Sequence, residues 1–131
     1  MNEHSNVKPH AGGACLRAAL TASGWGGVIW QNPANDWGNQ AGGLNLTGAK
    51  KLTFWARGEK GGEKVSFVFG VLNKARFSDS GGGKLDVALT PAWKKYTINL
   101  AGKNLTDIKT GFGWIVTGKP TAFFIDDVRY Q

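Results

Sequence analysis

The sequence predicts an all-β fold, a single antiparallel two-sheet β-sandwich or jelly roll that covers residues 1–131. Short stretches in which apolar and polar residues alternate recur along the whole chain, and this period of two is typical of half-buried strands. Clusters of Gly, Asn, Pro and Lys separate these stretches at near-regular spacing. No window of twelve residues has a convincing helical period. About eight short strands in this arrangement favour a sandwich.

Four strands are predicted in the first half of the chain. Residues 15–20 follow a Gly-Gly turn, and residues 25–31 precede a turn-rich loop. Residues 51–57 place Leu, Phe and Ala on one face and Thr, Trp and Arg on the other. Residues 64–72 alternate most regularly, with Val and Phe side chains facing inward.

Four more strands are predicted in the second half, at residues 84–89, 93–100, 111–116 and 122–130. In the last strand two consecutive Asp residues interrupt the alternation, as a β-bulge does. Strand alternation assigns one group of aromatic residues to the core, and places Trp93 at the core edge or as a lid. That core group consists of Phe54, Phe67, Phe69, Phe112, Trp114 and Phe123.

Length and composition exclude several classes of protein. The 131 residues include 20 Gly and 6 Trp but 1 Cys, so an internal disulfide framework is excluded. The single Cys15 is expected to be a small buried hydrophobic residue. No apolar run approaches the ~20 residues of a membrane span. Residues 1–12 are polar, are expected to be irregular, and contain no signal peptide.

The carboxylates predict no catalytic site. The 9 Asp and Glu residues fall mainly in predicted turns or beside Gly and Lys, where an acid is usually solvated. A glycosidase needs two carboxylates that face each other across a cleft, and no such pair is indicated. No Ser-His-Asp order and no phosphate-binding loop is present. We therefore expect a protein that is not an enzyme and requires no cofactor.

The most informative segment for function is GWGGVIWQNPANDWG, residues 24–38. Strand alternation places Trp25 and Trp30 on opposite faces, so one is expected to pack in the core and the other to face outward. Trp37 falls in a loop, where a large apolar side chain is costly unless it packs or binds a ligand. Indole rings stack on sugars, and they also stack on the bases of single-stranded nucleic acid.

Polar side chains accompany these tryptophans. Gln31 and Asn32 follow Trp30 directly, and amide groups match the donors and acceptors of sugar hydroxyls. Trp55 and Arg57 share the polar face of their strand. A Trp beside an Arg on such a face indicates either a ligand-binding platform or a small satellite cluster.

Four segments of the chain are informative when they are taken together: GWGGVIWQNPANDWG, GAKKLTFWARG, WKKYTINL and FIDDVRY. With this order and spacing, residues 13–130 resemble bacterial carbohydrate-binding modules of the galactose-binding-like β-sandwich (jelly-roll) type, which are appended to glycoside hydrolases. The resemblance implies glycan binding by aromatic and polar side chains. The matching positions are Trp30, Gln31, Asn32, Trp37, Trp55 and Arg57, and Trp25 is a further candidate ligand residue.

The resemblance also implies a structural calcium ion, for which Asp126 or Asp127 would supply oxygen ligands. From the residues alone, the two consecutive Asp residues indicate a bulge that carries two solvated carboxylates, and this interpretation stays open beside the calcium site.

The function expected from these observations is non-catalytic binding of a β-linked polysaccharide or oligosaccharide. Such a domain would target an attached enzyme or surface protein, and would belong to a larger extracellular protein whose signal peptide lies outside this chain. The formal charge of +7 is spread over scattered residues, which argues against nucleic acid and favours a soluble surface with protective lysines. No membrane partner is expected. A basic single-strand nucleic-acid binder and an adhesive, self-assembling module remain the alternatives.

Overall fold

The computed structural model describes residues 2–5, 15–20, 24–31, 43–72 and 78–131. Within these ranges the chain forms antiparallel β-strands, and none of the residues described forms a helix with the length and hydropathy of a membrane span. The strands are β1 (Asn2–Ser5), β2 (Cys15–Leu20), β3 (Gly24–Gln31), β4 (Lys51–Gly58), β5 (Lys64–Phe69), β6 (Gly83–Ala88), β7 (Lys94–Asn99), β8 (Thr110–Gly118) and β9 (Thr121–Tyr130).

The strands form two sheets that pack face to face. Sheet A has the order β1-β2-β9-β4-β7, and sheet B has the order β3-β8-β5-β6. Neighbours in each sheet are mostly distant in sequence, as in a jelly roll. The predicted all-β sandwich is therefore confirmed, and the eight predicted strands are all present, most of them with slightly different ends.

Two differences from the sequence-based expectation have a clear physical cause. Asn2–Ser5 forms β1, paired with β2, whereas residues 1–12 were expected to be irregular. An edge strand needs backbone hydrogen bonds and no apolar alternation, so its polar sequence carries no signal. Strand β5 ends at Phe69, short of the predicted residue 72, because Gly70 has a φ of 62° and lies against the backbone of Gly81.

The core lies between the sheets and is built from aromatic rings. Phe54 of sheet A contacts Phe67 of sheet B with ring centroids 4.4 Å apart, and Trp114 packs edge-on against Phe123 at 5.0 Å. All six aromatic residues assigned to the core by strand alternation are buried, which confirms that assignment. Cys15 is buried as well.

The predicted β-bulge is present in β9. Along the β4–β9 pair, Thr53 lies opposite Arg129 and Trp55 lies opposite Asp126, so β9 has one extra residue between them. Asp127 adopts a φ of 52°, a left-handed conformation that Asp tolerates better than most residues. Its backbone N–H donates to the Asp126 carboxylate at 2.9 Å, which holds the bulge closed.

Candidate functional site

Strand β3 brings Trp30 to one end of the sandwich. Trp30 lies opposite Phe112 of β8, and Val28 lies opposite Trp114, so Trp30 shares the core-facing side of the strand. The indole stacks on the Phe112 ring with centroids 5.9 Å apart and an interplanar angle of 28°. The side chain is nevertheless 36% exposed, because β3 is an edge strand of sheet B and Trp30 lies near its end.

A hollow of about 390 Å³ opens beside this indole, and we refer to it as the Trp30 hollow. Its volume falls within the ~300–1,000 Å³ typical of small-molecule sites. Its walls come from one end of β2, β3 and β8 and from the middle of β9, so both sheets contribute. The lining residues are Cys15, Leu16, Trp30, Phe112, Ile125, Asp126, Asp127 and Val128.

The lining of the hollow combines apolar residues with two acidic ones, Asp126 and Asp127. Asp126 lies opposite Trp55 in register, so its side chain is on the outer side of β9, and the extra residue of the bulge follows it directly. Asp127 lies 3.6 Å from the exposed guanidinium of Arg129. An indole face together with carboxylate oxygens suits the C–H face and the hydroxyl donors of a sugar ring.

The same two carboxylates were assigned to a structural calcium ion. Ca²⁺ takes six to eight oxygen ligands. Within the ranges that the structure describes, no group of three or more His, Cys, Asp and Glu side chains could hold a metal ion. Asp126 and Asp127 also serve the bulge and Arg129, so they form an incomplete ligand set, and calcium binding here stays a prediction.

Trp55 and Arg57 lie on the outer face of sheet A, as their strand alternation predicts. Arg57 is only 7% exposed, with its guanidinium carbon 4.0 Å from the centroid of the Phe124 ring and 5.5 Å from that of Trp93. The sequence left open a ligand-binding platform or a small satellite cluster at this face. The burial of Arg57 between Phe124 and Trp93 fits the satellite cluster. Trp55 is half-buried and lies opposite Asp126, the residue that also lines the Trp30 hollow. Ligand contact by Trp55 or Arg57 stays a prediction.

The other predicted ligand residues lie at or beyond the ends of β3. Trp25 pairs with Thr117 at the opposite end of the strand from Trp30. Gln31 is half-buried, and its Nε2 is buried without a hydrogen-bond partner. Asn32 and Trp37 lie outside the described residues. The structure therefore brings Trp30, Asp126 and Asp127 together and does not bring Trp25 to the same place.

Sequence reasoning missed a groove of about 440 Å³ on the outer face of sheet B. Ser66 of β5 donates a hydrogen bond to Asp86 of β6, and this bond holds the pKa of Asp86 below its ordinary value. Ile115 and Thr117 of β8 continue the groove. Single polar residues at outward strand positions are ordinary, so no signal in the sequence distinguishes this set.

Comparison with solved structures identifies the architecture, whereas no protein-family model and no curated protein matches the sequence. A family 11 carbohydrate-binding module from Clostridium thermocellum, in complex with a β-1,3-1,4-mixed-linked tetrasaccharide, has a TM-score of 0.64 and 14% identity over 89% of this chain and 75% of that one. A family 30 module of the cellulosomal cellulase Cel9D-Cel44B from the same organism has a TM-score of 0.62 and 16% identity over 95% and 78%.

The chain has the β-sandwich fold of carbohydrate-binding modules. The predicted resemblance to such modules is thereby confirmed at the level of the fold.

Proposed function

We propose that this chain is a non-catalytic carbohydrate-binding domain that binds a β-linked polysaccharide or oligosaccharide at the Trp30 hollow. The observation that carries the proposal is the exposed Trp30 indole in a hollow of about 390 Å³ whose lining includes Asp126 and Asp127. A sugar ring would stack its C–H face on the indole, and its hydroxyl groups would donate to Asp126 and Asp127.

Rigidity of the indole supports this function. Trp30 is backed by Phe112, which is itself buried against Phe54 with ring centroids 5.2 Å apart. A ring supported in this way loses little conformational freedom when a ligand binds, so more of the contact energy appears as affinity. The expected affinity is modest, because sugar hydroxyls exchange hydrogen bonds with water for similar bonds with protein.

The fold supports the chemical class of the ligand. The solved modules with this fold include one in complex with a β-1,3-1,4-mixed-linked tetrasaccharide. We extend that chemistry to this chain as the proposed ligand, a β-linked glucan. The proposal includes a role in targeting an attached enzyme or surface protein, within a larger extracellular protein, and no catalysis by this chain.

The decisive experiment measures binding of soluble mixed-linkage β-glucan by affinity electrophoresis and calorimetry. Replacing Trp30 by Ala should weaken binding roughly ten-fold, since an aromatic contact contributes on the order of 1 kcal/mol beyond the area that it buries. Leu44→Ala is the control, because Leu44 is 50% exposed and lies outside the hollow. Both variants should melt cooperatively.

Unchanged affinity in Trp30→Ala would contradict the assignment of the site. If Trp55→Ala or Trp37→Ala then removed binding, the ligand would lie on the outer face of sheet A or at the loop that contains Trp37.

A further inference from the structure

A second cleft lies at the opposite end of the sandwich from the Trp30 hollow. It opens where Leu20 of β2 pairs with Thr121 of β9, beside the β8–β9 turn and the loop of residues 59–63 that follows β4. Its volume is about 750 Å³, nearly twice that of the Trp30 hollow. We refer to it as the Lys119 cleft, after the lysine in the β8–β9 turn.

Basic side chains outnumber acidic ones in this cleft. The basic residues are Arg17, Lys60, Lys64 and Lys119, and the acidic ones are Glu59 and Glu63. The three lysines are exposed, and within the described ranges none of their ammonium groups forms an ion pair. With Arg17 paired to Glu59, the cleft holds three lysines against the single remaining carboxylate of Glu63, so positive charge predominates.

Both acidic side chains of the cleft are already engaged. Glu59 accepts a hydrogen bond from the guanidinium of Arg17 at 3.1 Å. Glu63 accepts the backbone N–H of Lys60 at 2.8 Å through Oε2, and its Oε1 is buried against Gly58, where a Cβ would overlap it. These contacts hold the loop in place and leave the lysines as the groups available to a ligand.

No aromatic side chain lines the cleft among the described residues. Proteins that bind single-stranded nucleic acid combine positive charge with aromatic rings on which bases stack. A cleft with ammonium groups, the exposed hydroxyl of Thr117 and glycine-rich turns instead suits a ligand that is anionic, hydroxylated and not aromatic. A uronic acid residue of a polysaccharide has those three properties.

We infer that the Lys119 cleft binds the carboxylate groups of an acidic polysaccharide, a polyuronate. This site is separate from the Trp30 hollow, whose carboxylates would repel such a ligand and suit a neutral one. The two ends of the sandwich therefore differ in ligand charge, so this inference does not depend on the neutral glycan proposed above.

The test titrates the chain with polygalacturonate in 50 mM and 500 mM NaCl. Lys60→Gln, Lys64→Gln and Lys119→Gln should each raise the Kd roughly three- to five-fold, and the triple variant by at least ten-fold, as expected for exposed charge contacts. The higher salt should also weaken binding by about ten-fold, since it screens exposed charges. The matched control is Lys94→Gln with Lys95→Gln, two exposed lysines on β7 that lie outside the cleft.

Four outcomes would overturn the inference. These are no binding of polygalacturonate at the lower salt, equal losses in the cleft and β7 variants, preferential binding of dextran sulfate, and tighter binding of oligothymidylate through the same lysines. Trp30→Ala should keep its affinity for polygalacturonate, so a failure of the neutral-glycan proposal and a failure of this one are distinguishable.

Discussion

At the scale of single residues, Trp30 shows how one side chain is both supported and accessible. One face of its indole stacks on Phe112, and more than a third of its surface stays open to solvent. Alternation along the strand determines which face of the sheet a side chain points to. Its exposure to solvent depends on how far the other sheet extends over that position. A core-facing residue near the end of an edge strand can therefore be available to a ligand.

Arg57 shows the reverse combination, an outward-facing charged residue that is buried. Its guanidinium lies over the Phe124 ring and beside Trp93, and Phe124 is itself buried on this outer face. Desolvated guanidinium-aromatic contacts stabilise by about 1–2 kcal/mol. The arginine therefore contributes to packing, in addition to any contact with a ligand.

Replacing Arg57 by Met should lower the free energy of unfolding by about 1–2 kcal/mol, because the apolar stem is kept and the cation is lost. Urea denaturation measures this change. The control is Arg129→Met, since Arg129 is on the same face of the sheet and its side chain is 65% exposed, and it should change stability by less than about 0.5 kcal/mol. Equal stability of the two variants would contradict a packing role, and loss of glycan affinity without loss of stability would indicate ligand contact.

At the scale of elements, the bulge in β9 connects the strand to the candidate site. One extra residue between the positions opposite Thr53 and Trp55 shifts the alternation of β9 beyond Asp126. The two acidic residues at this point, Asp126 and Asp127, belong to the lining of the hollow. Bulges redirect side chains in this way and are common next to functional sites.

A second element-scale feature is the carboxylate of Asp79, which joins three segments. It accepts the backbone N–H groups of Leu72, Lys109 and Thr110 and the hydroxyl of Thr110, at 2.5–3.0 Å. The loop before β6 is thereby held against the start of β8. Hydrogen bonds to a charged group contribute about 1.5–3 kcal/mol each and are not additive.

Replacing Asp79 by Ala should therefore lower the free energy of unfolding by about 3 kcal/mol, and at least two backbone N–H groups would lose their partner. Thermal and urea unfolding measure the change. Asp86→Ala is the matched control, because Asp86 is exposed and its bond to Ser66 lies on the surface. A loss below about 1 kcal/mol in Asp79→Ala would show that water replaces the carboxylate.

At the scale of the whole molecule, the net charge of +7 is unevenly distributed between the two candidate sites. The lining of the Trp30 hollow includes two acidic residues and no basic one, whereas the Lys119 cleft contains three lysines without ion pairs among the described residues. A neutral glycan at the hollow gains nothing from net positive charge. An anionic polymer gains an attraction that salt screens over about 8–10 Å.

Binding of neutral β-glucan should consequently change less than two-fold between 50 mM and 500 mM NaCl. For nucleic-acid binding, the logarithm of the binding constant instead falls linearly with the logarithm of the salt concentration. The same titration therefore tests the alternative that the chain binds single-stranded nucleic acid. Calorimetry at the two salt concentrations measures the effect. A ten-fold loss of β-glucan affinity at the higher salt would contradict a neutral site that relies on stacking and hydrogen bonds.

Much of the fold could be predicted because strand alternation is a local signal. The aromatic residues assigned to the core are buried, and the bulge lies where two consecutive Asp residues interrupt the pattern. The polar strand β1 could not be predicted, because it has no apolar alternation and its only structural signal is backbone pairing with β2. Trp30 was among the predicted ligand residues, but its grouping with Asp126 depends on contacts between segments about 96 residues apart.

The amino-acid sequence by itself determined the class of fold, the core side of each strand and the residue types available for binding, since these depend on neighbours along the chain. Only the tertiary structure decided which of those residues meet. It buried Arg57 under Trp93, exposed Trp30 at the end of a sheet and grouped the lysines around one cleft. The physical reason is that the exposure of a side chain and its distance from residues of other strands depend on how the two sheets overlap. A local sequence pattern does not predict that overlap.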